Sequence, residues 1–178
     1  MISFLALPTR EDIQFGRYRI LTADEIRAVP RFDTLLRAIE RRTGGTRLAS
    51  RQDIRPADFK AELPNVFIWD LIRDQTGRVV DARARLTGTE MSHFYGEITG
   101  QRWSDYIAPE VAERAITSCR KISETKQIFA YIVHGITKKQ FFVNLYVLYV
   151  PLSPDGTTVD QVFGAIALAH GETEPPLA

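Results

Sequence analysis

The run Gln140-Phe-Phe-Val-Asn-Leu-Tyr-Val-Leu-Tyr-Val150 constrains the fold more than any other part of the chain. Side chains alternate between the two faces of a strand. Phe142, Asn144, Tyr146 and Leu148 fall on one face, and Phe141, Val143, Leu145, Val147 and Tyr149 on the other. Both sets are apolar, so both faces must be covered. The run Phe141 to Leu152 also falls short of the roughly 20 residues of a membrane-spanning helix. The chain must therefore place this strand inside a sheet and supply a layer for each side.

The neighbouring segments provide the sheet. Ile128–His134 and Gln161–Ala169 read as strands, joined to the central one through the connections Gly135–Lys139 and Ser153–Thr158. Upstream, Val66–Ile72 and Val79–Thr87 are β-branched or alternating, with turn residues Asp74–Gly77 between them, and predict a hairpin. Five antiparallel strands are expected. Phe15–Leu21 alternates too weakly to be assigned as a sixth.

Helices supply the covering layers. Pro109 opens one over 109–125, with Val111, Ala112, Ala115, Ile116, Cys119 and Ile122 as its apolar stripe. Phe32, Leu35, Leu36 and Ile39 form the stripe of another over 31–43, stopped by Gly44-Gly45. Thr22 and Glu25 have capping-box spacing ahead of Pro30. Residues 46–64 read as a connector with a short helix between Pro56 and Pro64. The Gly-punctuated, aromatic stretch Gly88–Ile107 suits one or two short helices. The expected architecture is α+β, with a helical cluster on one sheet face and the N-terminal helices available for the other. Residues 1–45 are expected to form an N-terminal extension and helix, 46–170 the domain, and 171–178 a frayed acidic tail.

Composition narrows the function. A length of 178 residues suits one domain. The single cysteine, Cys119, excludes an intramolecular disulfide and a cysteine-rich zinc site. Lys plus Arg is 23 and Asp plus Glu is 22, a net charge of +1, which argues against a dedicated nucleic-acid partner. Met1–Pro8 is apolar but lacks a basic start, and Arg10, Glu11 and Asp12 follow at once. A cytoplasmic location without a transmembrane segment is expected.

Several local motifs stand in order along this frame. Ser50-Arg51-Gln52-Asp53-Ile54-Arg55-Pro56 is followed by Leu63-Pro64, then Gly88-Thr89, then Thr99-Gly100-Gln101-Arg102, and finally Pro151-Leu152-Ser153-Pro154-Asp155-Gly156. Over roughly residues 32–170 this order resembles the PAS domain family, and in particular a stand-alone subfamily common in alphaproteobacteria. The motifs have structural readings too. Arg51 and Asp53 form a candidate charged hydrogen bond. Gly88 and Gly100 suit backbone turns that a Cβ would oppose, and Asp155-Gly156 suits a tight turn. The resemblance implies a sensor or interaction module without catalysis of its own, and leaves its chemistry to be argued from the site.

Candidate site residues divide into two groups. Trp103, Tyr106, Tyr131, Phe142, Asn144 and Tyr146 are expected to line a ligand pocket, with Asn144 as its polar anchor. Trp69, Phe94 and Tyr95 complete the aromatic set. Phe32, Leu35, Leu36 and Ile39 are expected to form a homodimer or partner surface. The cofactor stays unknown. Haem is not supported, because helix 109–125 carries no histidine and the nearest is His93. Flavin photochemistry is not supported either, since Cys119 sits in Ser-Cys-Arg on an apolar stripe and reads as a small hydrophobe. His93, His134 and His170 lack metal-ligand spacing.

The leading expectation is therefore a PAS-like module that binds a small ligand or a partner protein and signals in trans. Two rivals remain open. A small α+β-cone isomerase needs a buried carboxylate base, for which Asp70 and Asp81 are the mid-strand candidates. An adaptor for nucleic acid or a membrane surface would use Arg37, Arg41, Arg42, Arg47, Arg51 and Arg55, opposed within that window only by Glu40 and Asp53.

Overall fold

A computed structural model describes residues 12–106, 108–139 and 141–171. The apolar start at Met1–Pro8 and the tail beyond Gly171 lie outside the described residues, as do Ile107 and Gln140. Six strands form one antiparallel sheet: β1 (Ile13–Ile20), β2 (Val66–Arg73), β3 (Val79–Thr87), β4 (Phe129–Thr137), β5 (Phe142–Leu152) and β6 (Gln161–His170). Their spatial order is β1-β4-β5-β6-β2-β3, which places β5 inside the sheet as its two apolar faces require. The expected count of five was wrong by β1. It pairs only with β4, its register shifts between Phe15 and Tyr18, and most of its side chains are exposed. An edge strand of this kind carries little apolar alternation for a sequence reading to detect.

Helices cover both faces. On one side lie α3 (Thr89–Tyr95), α4 (Trp103–Tyr106) and α5 (Pro109–Thr125). They pack on Phe67 and Trp69 of β2, Val143, Leu145, Val147 and Tyr149 of β5, and Val162 and Ile166 of β6. On the other side lie α1 (Ala23–Ala28) and α2 (Pro30–Thr43), with three short 3-10 turns between Arg51 and Asn65. They pack on Val66, Ile68, Leu148, Val150, Phe163 and Ala165. The odd–even alternation of β2, β5 and β6 thus divides the interior into two separate cores.

The N-terminal elements belong to this unit. Thr22 caps α1, its hydroxyl accepting from the Glu25 N–H while the Glu25 carboxylate accepts from the Thr22 N–H. Pro30 opens α2, and Gly44, in the left-handed region, closes it. Phe32, Leu35, Leu36 and Ile39 do not form an outer surface. They are 0–5% exposed because their stripe is the cover of the second sheet face. Arg31 fixes this layer further. Pairing of β2 with β6 ends at Val66↔Ala165, and next along β6 the Arg31 guanidinium donates to the Ile166 carbonyl at 2.7 Å and to Glu62 at 2.6 Å.

Half of the arginine cluster is paired with carboxylates. Arg37 pairs with Asp33, Arg42 makes two 3.0 Å bonds to Asp58, and Arg47 makes two 2.8 Å bonds to Asp53. Asp33 and Asp58 lie just outside the window counted from the sequence. Asp53 takes Arg47 rather than Arg51 as its cation, and accepts from the Ser50 N–H and hydroxyl as well. Gly88 serves close approach rather than a turn: its φ is ordinary, but a Cβ there would lie 2.4 Å from the Leu63 and Pro64 carbonyl oxygens. Gly100, at φ +84°, is a turn residue.

Candidate functional site

The first core holds a small, partly open space between the sheet and α3–α5. Phe67 and Trp69 occupy successive inward positions of β2 and stack with ring centroids 4.1 Å apart. Trp103, at the start of α4, stands edge-on to Trp69 at 4.4 Å. Tyr149 closes the floor, edge-on to both Phe67 and Trp69 and stacked parallel on Phe129 at 5.0 Å. Met91 and Tyr95 from α3 and Val111, Arg114 and Ala115 from α5 form the opposite wall. The space left free is about 20 Å³, room for about one water molecule.

The helical wall is pinned at defined points. Between α3 and α4 the chain runs along β3, with the Gly100 N–H donating to the Ala84 carbonyl at 2.7 Å and the Ala84 N–H to the Gln101 carbonyl at 3.0 Å. The buried Asp81 carboxylate then accepts from the Ser104 hydroxyl at 2.6 Å and from the Ala82 N–H at 2.8 Å. Trp103 is thereby held inward while α3 and α4, of 7 and 4 residues, stay short.

The polar groups of this space share one property. The indole N–H groups of Trp69 and Trp103 are both buried and have no hydrogen-bond partner among the described residues. The Tyr131 and Tyr149 hydroxyls approach to 3.3 Å, long for a hydroxyl pair. Burial pushes the Tyr131 phenol up to about 12 and raises Tyr149 well above its usual range, so both stay protonated at neutral pH. Arg114 lines the space and stacks its guanidinium 5.3 Å from the ring centre of Tyr18 on β1. No aspartate or glutamate lines it. Cys119 is fully buried beside it, and desolvation raises its thiol far above the usual range, which leaves it unreactive.

The frame around this space has a sequence signature, because a PAS domain family model matches residues 33–167. The chain belongs to the PAS domain family. No curated protein and no solved structure matches it. PAS domains are sensory or interaction modules, generally regulatory rather than enzymatic. Among the described residues of this PAS domain no helix is long and apolar enough to cross a membrane.

Of the six residues expected in the pocket, the structure brings together Trp103 and Tyr131. Tyr106 is 48% exposed on α4 and does not reach the space. Phe142, Asn144 and Tyr146 belong to the other face of β5, so Asn144 is not a pocket anchor. Its side-chain oxygen instead meets His134 Nδ1 at 2.7 Å on the paired strand. His93 is exposed and lines nothing in the cavity. His134 is half-buried in mid-strand. Among the described residues no group of three His, Cys, Asp or Glu side chains is placed to hold a metal.

The carboxylates nominated for the isomerase reading also lie elsewhere. Asp81 holds α4, and Asp70 accepts from the Gln161 amide at 2.6 Å. Neither lines the cavity. The residues missed by sequence reasoning are Phe67, Tyr149 and Arg114. The first two carry the period-2 signal of the opposite face, while Arg114 reads as part of the polar side of α5 and reaches the cavity from its flank.

Proposed function

We propose that this PAS domain is a sensory module that takes a small ligand into the cavity between its sheet and α3–α5. The resulting shift is passed to a signalling partner protein, and the domain carries no catalysis of its own. The observation that carries this reading is the pair of buried, unpartnered indole donors of Trp69 and Trp103. A buried donor without an acceptor costs about 1–3 kcal/mol. Both residues line the cavity, and an acceptor that comes from outside the chain would satisfy them. One contact across the sheet supports the reading: Ile166 lines the cavity, and its carbonyl accepts from Arg31 of the covering helix α2.

A second reading, a protein-interaction module with its cavity packed shut, draws on the free space of only about 20 Å³. A thermal-shift screen over a panel of small metabolites separates the two. The chain has two tryptophans, and both line the cavity, so tryptophan emission reports the site. A ligand present at 100 times its Kd adds about 2.7 kcal/mol to stability. The expected result is compounds that raise the melting temperature by several degrees and shift the tryptophan emission together. A panel without such a compound supports the packed module.

A further inference from the structure

We infer that the ligand of this cavity is a flat, largely apolar molecule bearing one carboxylate and at least one further hydrogen-bond acceptor. The carboxylate is held by Arg114, and the other acceptor by the indoles of Trp69 and Trp103. This rests on the proposed ligand-binding role and adds the chemical class. The walls set the body of the molecule: the rings of Phe67, Trp69, Trp103 and Tyr149 line the space, and aromatic faces and edges favour a flat, apolar partner. The polar groups set its sign. Two indole N–H groups and a guanidinium are donors only, and of the two protonated phenols one donates to the other and leaves one O–H to donate. A cationic or donor-rich ligand finds no carboxylate on this lining.

An anion entering such a space loses its hydration and needs a charged partner. Arg114 is the lining's one cationic side chain; its guanidinium lies over the Tyr18 ring face, a contact that uses the face of the group and not its N–H donors, which can serve a carboxylate. The free space takes about one water, so a ligand must displace part of the wall. The yielding part is α3, because a helix of 7 residues holds little stability of its own and depends on packing, whereas α4 is tied to Asp81 through Ser104.

The test is a nitrogen–proton NMR titration of the two indole signals, using 6-hydroxy-2-naphthoate, its primary amide and naphthalene as probes. The naphthoate is expected to move both indole protons downfield and to bind at least about tenfold more tightly than the amide, the scale of one charge-assisted hydrogen bond. Arg114→Gln is expected to remove that preference and leave amide binding within about twofold. Arg114→Lys, which keeps the charge, is expected to retain part of it. The same spectra show whether each variant is folded. Equal binding of naphthoate and amide, or an Arg114→Gln protein that still prefers the anion, overturns the carboxylate inference while leaving the cavity a ligand site. Indole signals unmoved by all three probes overturn the ligand-binding role itself.

Discussion

Trp103 is 3% exposed, makes edge contacts with Trp69 and Tyr95, and leaves its N–H without a partner among the described residues. Trp103→Phe removes volume and the orphaned donor in one step. The lost packing costs about 1–3 kcal/mol, and deleting an unsatisfied donor returns a similar amount. The expected net change in urea denaturation is within about 1 kcal/mol, against about 3–5 kcal/mol lost for Trp103→Ala. A Trp103→Phe protein as unstable as the alanine variant would mean that the N–H is well satisfied in solution. Asn144 provides the contrast. It sits on the far face of β5 with His134 as its partner. Asn144→Leu is expected to cost at most about 1 kcal/mol, since half-buried groups keep access to water. It should leave cavity binding, followed by tryptophan emission, unchanged.

At the scale of elements, α2 is core rather than interface. Leu35 is fully buried against the second sheet face, so Leu35→Ala is expected to cost about 2–5 kcal/mol in urea denaturation. A loss well under 1 kcal/mol would detach α2 from the sheet. The start of α1 carries a pH dependence. The Glu25 carboxylate is held down to about 2 by Arg19 and the Thr22 N–H, from an ordinary value of 4.5. A lowered folded-state value means that the stabilisation is complete above about 4.5 and is lost as pH falls towards 2. Asp53 beside Arg47, and Asp155 in its turn of N–H donors, are lowered in the same direction. The melting temperature is therefore expected to fall as pH drops through this window, and Glu25→Gln to flatten part of that slope. A slope unchanged in Glu25→Gln would assign it to the other carboxylates.

How far each element could be read depended on its packing. The period-3.6 stripe of α5 and the apolar runs of β2, β5 and β6 gave clear signals, because α5 faces one continuous core and the three central strands face a core on each side. The residues on each face of β5 were also legible. Which face met the cavity was not: both are apolar, and the polar Asn144 marked a cross-strand bond to His134 instead of a ligand anchor. Edge strand β1 imposed too little burial to show. The stripe of α2 was visible as a stripe, but periodicity alone does not distinguish a face turned to the sheet from one turned to a partner. The charge count around Arg37–Arg55 missed Asp33 and Asp58, which reach the cluster through the helix turn and the following 3-10 segment.

On the scale of the whole molecule, one sheet separates two cores with different tasks. The α1–α2 side is closed by Arg31, Glu62 and a continuous apolar stripe. The α3–α5 side is lined with rings and donors that await an acceptor. On the proposed function, the first is the scaffold and the second the sensing compartment. The most direct measurement is the native mass of the purified protein against its denatured mass. The account predicts an excess mass under native conditions that disappears on denaturation, with a value matching a small organic acid. Native mass equal to the denatured mass, persisting after the protein is supplied with a metabolite extract, would contradict it and leave a module whose cavity is permanently packed.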